Sequence, residues 1–205
     1  MIGNCLAEAD DETRDLVTAR EKHLESARLF TEIGDRHYGL IAHHNQAWIT
    51  EDLGDPAEAR RLHEESLLIA REIGNESIEA DALAQLGMTA RDEGRLDDAV
   101  ALLQAATRIN VRRGMRASVA TQLSRLSSAL VRRGDAELAA RLLGASNAQR
   151  EQLGAKIEWW AAERNEETLG LIRSALGDDA AVSALEAGRA LAPDQAAALA
   201  LDDTL

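Results

Sequence analysis

Cysteine is nearly absent from this sequence: Cys5 stands alone among 205 residues. One thiol excludes an internal disulfide framework and a multi-cysteine zinc site, and it fits a reducing, cytoplasmic setting. Proline occurs twice and aromatic residues make up 2% of the chain. Sandwiches and barrels draw on aromatics, β-branched residues and Pro/Gly turns, so this scarcity argues against both. Long apolar runs are missing too. The longest stretch without Lys, Arg, Asp or Glu runs from His37 to Thr50 and holds three histidines, too short and too polar to span a bilayer. The start of the chain, Met1 to Glu8, lacks the basic and apolar regions of a signal peptide. Positive charge is short by 13 relative to negative, which disfavours direct nucleic-acid binding. What is abundant is alanine, the best helix former.

The glycines carry the organisation. Gly34, Gly54, Gly74, Gly94, Gly114, Gly134 and Gly154 recur at one strict interval. The spacing predicts helices of roughly four turns, each ended by a left-handed glycine. Folded at twice that interval, the sequence aligns small residues in columns: Ala47, Gly87 and Ser127; Ala59, Ala99 and Ala139; Ser66, Ala106 and Ser146. Leu62, Leu102 and Leu142 form a further column. Small residues at fixed places on consecutive helices let backbones approach, which predicts a helical hairpin repeated in tandem. Asp55-Pro56-Ala57-Glu58 predicts a helix start with a capping box, and Asn75 and Asp135 predict similar starts.

These columns resemble the tetratricopeptide repeat, with a small residue midway along the first helix and an alanine early in the second. The resemblance covers about Asp35 to Gly154. It implies an all-α, right-handed α-solenoid of tandem hairpins and a role in protein–protein interaction. The period of 40 rather than 34, the missing proline at the unit end, and His43 and His63 at apolar positions depart from the family. A half repeat at 14–34 and full units at 35–74, 75–114 and 115–154 are expected. An acidic stub at 1–13, with a short helix near Ile2 to Glu8, or a longer parent protein would precede them. After Gly154 the phase fails, because Glu167 occupies the small column and Ser174 the glycine position. Residues 155–205 are expected to form capping helices, about Lys156 to Leu176, about Asp179 to Ala192 with Asp178 or Asp179 as cap, and a short one after Pro193.

A second resemblance lies in the order of Ala140-Arg141-Leu142-Leu143-Gly144-Ala145, Arg150-Glu151-Gln152-Leu153-Gly154, Ala175-Leu176-Gly177-Asp178 and Gly188-Arg189-Ala190-Leu191. It is similar to the C-terminal end of large bacterial transcriptional regulators, which join a STAND-type ATPase to such repeats, often with a LuxR-type domain. It implies a regulatory or sensor segment. The chain itself contains no GxxxxGK[ST] and no separate basic recognition helix.

Five histidines, His23, His37, His43, His44 and His63, fall in the first third. His43 and His44 are adjacent and diverge on a helix, and Leu67 replaces the second ligand of an HExxH motif. The histidines therefore read as polar packing residues, with no metal, no cofactor and no catalytic constellation expected. Charge is uneven. Residues 1–75 carry 16 acids against 8 Lys and Arg, residues 76–150 carry 9 against 11, and residues 151–205 carry 11 against 4. Arg108, Arg112, Arg113 and Arg116 cluster near one turn, Arg132 and Arg133 near another; helix-dipole complementation explains both, and an acidic peptide or phosphate partner is the alternative.

In a tetratricopeptide array the residue after the small column turns toward the concave groove. That register places Trp48, with His44, Glu51, Asp81, Met88, Arg91, Ser124, Ser128 and Arg132, on or beside a partner groove. Such a lining suits a peptide or helix; a small ligand near His44 and Trp48 is the alternative. Trp159 and Trp160 are expected to seal the core's end. Leu16, Leu24, Leu29 and Phe30 belong to a helix lacking its full partner, which predicts exposed apolar area and self-association through that end.

Overall fold

The computed structural model describes residues 16–154 and 159–202, with side chains from 161 in the second stretch. The expected stub at 1–13, the start of the first capping helix at Lys156, and the side chains of Trp159 and Trp160 lie outside the described residues. Among those residues ten helices and no strand occur: α1 Leu16–Glu32, α2 Arg36–Asp52, α3 Pro56–Ile73, α4 Glu76–Asp92, α5 Leu96–Arg112, α6 Arg116–Arg133, α7 Ala136–Leu153, α8 Trp159–Leu176, α9 Asp178–Arg189 and α10 Pro193–Ala200. The fold is the expected all-α series of tandem helical hairpins. All seven phased glycines have positive φ, from 61° to 108°, and each lies at a helix C-terminus, where a side chain would be strained.

The chain divides into two compact units at Leu86/Gly87, inside α4. In the first, α1 packs on α2, with Phe30 stacked on Tyr38 at 5.3 Å between ring centroids. Helix α2 pairs with α3 through Ala47, Ala59, Leu62 and Ser66, all buried. Leu40, Ala70 and Ile78 tie the start of α4 to this pair. Asp55 caps α3 by accepting from the Glu58 N–H at 3.1 Å. Only that half of the capping box forms, because the Glu58 carboxylate turns to Arg61 instead. Asn75 accepts from the Ile78 N–H at 3.2 Å as expected, whereas Asp135 takes Arg133 Nε at 2.6 Å and caps nothing.

In the second unit the small columns lie where helices cross. A Cβ on Gly87 would fall 2.8 Å from Leu103 Cγ and 3.3 Å from the Ala99 carbonyl oxygen. Ser127 donates to the Ala139 carbonyl at 2.7 Å and Ser146 to that of Ala120 at 2.6 Å, so each small hydroxyl bonds a neighbouring backbone. Packing continues past Gly154 with a shifted register. Thr168, one residue beyond the column position of Glu167, is the small buried side chain of α8, with Ala161 and Ile172 on the same face. The helix runs through Ser174 and ends before Gly177, which has φ 80°. Gly177 is also the N-cap of α9, a place expected for Asp178 or Asp179. Helix α9 ends at Arg189, sooner than expected, and crosses α7 backbone to backbone. A Cβ on Gly144 would stand 2.1 Å from the Leu185 carbonyl oxygen, and one on Gly188 1.9 Å from that of Arg141. Helix α10 starts with Pro193 at its first turn and returns to α5, α6 and α7. Gln104 Nε2 anchors it by donating to the Ala200 carbonyl at 3.0 Å.

Candidate functional site

The expected groove residues sit on the first helix of each hairpin, and each unit brings its own share together. In the first unit, α2 carries His44, Trp48 and Glu51 at helical spacing. Trp48 Nε1 donates to His44 Nε2 at 3.2 Å, which places the imidazole proton on Nδ1. His63, fully buried on α3, meets both rings edge to face, at 5.7 Å from His44 and 6.2 Å from Trp48. Burial first, then the neighbouring His63 and His43, push the His44 pKa down to about 3. His44 is thus a neutral acceptor for Trp48. Glu51 lies at the edge of this cluster, 3.9 Å from His63 Nε2, and accepts from Gln85 Nε2 at 3.2 Å. Asp81 is exposed on α4. His43 bonds Ser66 at 3.0 Å and Glu65 at 3.1 Å. Among the described residues no group of His, Cys, Asp and Glu is arranged to hold a metal ion.

In the second unit, α4, α6 and α8 are cross-linked by polar side chains. Arg91 donates to Ser128 at 3.1 Å, Ser124 to Asn165 Oδ1 at 2.5 Å, and Arg132 to Glu167 at 2.5 Å. Four of the expected residues therefore belong to one connected face, while Met88 is buried in α4. Behind this face lie further guanidinium groups. Arg125 and Arg150 are buried, and Arg164 has its pKa pulled down to about 10 by burial and then by Arg125, Arg91 and Arg150. Burial also lowers that of Arg150.

His63, Gln85, Arg125, Asn165 and Glu167 were not among the expected site residues. Asn165 falls one period after Arg125, so extending the repeat past Gly154 finds one of them, with Arg164 beside it one period after Ser124. Glu167 is marked in the sequence only as a break in the small column, and its bond to Arg132 depends on the shifted register of α8.

Residues 42–110, from α2 into α5, match the tetratricopeptide repeat family, about a third of the chain. That stretch is similar to tetratricopeptide repeats, which generally mediate protein–protein interaction. No curated protein matches the sequence. No described helix is long and apolar enough to cross a membrane.

Proposed function

We propose that this chain is a non-enzymatic, cytoplasmic interaction module that holds a peptide or a helix on the first-helix faces of its hairpins. The observation that supports the reading is the polar seam of α4, α6 and α8, where Arg91, Ser124 and Ser128 are bonded within the fold and the Arg132–Glu167 pair stands at its accessible edge. Its inner hydrogen bonds order the helices, and an ordered edge of mixed charge suits an extended or helical partner. In the first unit the rings of His44, Trp48 and His63 fill one another's space, which supports Trp48 as a packing residue with one accessible edge. Exposed apolar residues on α1 support a second contact surface, for a partner or a second copy of the chain. A regulatory segment of a bacterial STAND-type transcriptional regulator is the biological setting this reading favours. An ATPase encoded in the adjoining reading frame would support that setting.

Peptide display against the full chain tests the binding reading. Enriched peptides should compete with one another and lose about tenfold in affinity on Arg91→Ala or Arg132→Ala, the scale of one charge-assisted contact. Absence of enrichment, or affinity untouched by both changes, would overturn it.

A further inference from the structure

A cleft of about 420 Å³ opens between α7, α8 and α9, within the range of small-molecule sites. Leu143, Ala162, Leu169 and Leu185 make its walls apolar. Five polar side chains also line it: Asn147, Arg150, Glu151, Asn165 and Glu166. Arg150 is 8% exposed, and its Nε has no hydrogen-bond partner; neither has Asn165 Nδ2. One other atom of each is engaged. Arg150 Nη2 donates to Thr121 at 3.2 Å, and Asn165 Oδ1 accepts from Ser124. The unused capacity at both residues is therefore donor capacity, and a buried donor without an acceptor is costly.

The charge around these donors points the same way. Arg91, Arg125, Arg150 and Arg164 gather behind the cleft closely enough for the other three to depress the protonation of Arg164. Two acids line the cleft itself: Glu151, bonded twice by Arg189 at 2.7 and 3.1 Å, and Glu166, exposed to solvent; Asp92, behind it, is held by Arg91. Positive charge beside an apolar cavity favours an anion with an apolar body. Two orphan donors match the two oxygens of a carboxylate. A phosphate would turn further oxygens onto leucine.

We propose that the cleft between α7, α8 and α9 binds a small organic carboxylate, whose oxygens accept from Arg150 Nε and Asn165 Nδ2 and whose apolar body lies against Leu143, Leu169 and Leu185. Binding needs rotation of the two side chains toward the space they already line. The site shares the Ser124–Asn165 hydrogen bond with the polar face described above, but its test needs no peptide.

Titration of the isotope-labelled full chain with sodium octanoate, at constant ionic strength, tests this by nuclear magnetic resonance. Saturable shifts are expected at the Arg150 Nε–H and the Asn165 side-chain amide. Octan-1-ol and inorganic phosphate should leave both unmoved. Asn165→Asp keeps the acceptor for Ser124 and places a carboxylate among the arginines, so it should raise the melting temperature while weakening octanoate about tenfold or more. Arg150→Met should weaken octanoate similarly without loss of stability, since it replaces a buried charge by an apolar chain. Equal responses to octanol or phosphate would overturn the proposal. So would octanoate affinity within about twofold of the original in both variants. The unsubstituted chain decides alone if either variant fails to fold.

Discussion

His44 shows how one residue's setting becomes a pH dependence. Its imidazole takes up a proton near pH 6.5 in the unfolded chain and only near 3 in the folded one. Below pH 6.5 the unfolded state therefore binds the proton more readily, and stability falls as acid is added; above that pH the contribution is complete. The expected slope between pH 6 and 5 is roughly 1.4 kcal/mol per pH unit from this residue. His44→Gln keeps an acceptor for Trp48 Nε1 and removes the titration, so denaturant unfolding across that window should show a flatter profile in the variant. An unchanged slope would mean that His44 protonates freely in the fold. The sequence marked His44 by its place beside the small column, yet carried no hint that His63 would close over it. That contact joins two helices, and its apolar neighbours are read only once the hairpin exists.

At the scale of elements, two glycines of the same chain should respond oppositely to one substitution. Gly188 lies where α9 meets α7, and an added Cβ would overlap the Arg141 carbonyl. Gly188→Ala should cost about 1–3 kcal/mol or more, because backbone rather than a pliable side chain must move. Gly170 sits inside α8, exposed, with nothing within 4 Å of an added Cβ. Gly170→Ala should gain roughly 0.5–1 kcal/mol through helix propensity. Thermal melting of both variants checks the pair; a loss at Gly170 or a gain at Gly188 would displace the α7–α9 crossing. Hairpin helices were readable because glycine phase and small columns repeat an instruction several times over. The shifted register of α8 and the return of α10 were not, since each occurs once and rests on contacts distant in sequence, such as Gln104 with Ala200.

For the whole molecule, two of the four apolar residues expected to be exposed on α1 are so, Leu24 at 48% and Leu29 at 47%, joined by Val17 at 49% and Ile33 at 74%, while Leu16 is partly covered. Phe30 is likewise partly covered, by Tyr38, and belongs to the α1–α2 packing. If α1 joins two copies, light scattering should give a mass that doubles with concentration, and Leu24→Glu with Leu29→Glu should hold it at one chain without lowering the melting temperature. A mass constant across the series would leave α1 to another partner. The glycine spacing reaches beyond mechanics into heredity. Because every second phased glycine returns the chain to the same conformation, unequal recombination between two such glycines inserts or deletes a whole hairpin while leaving the reading frame and both packing columns in step. A gene with this period changes length in discrete blocks, so close relatives should differ by multiples of one hairpin more readily than by short insertions inside a helix.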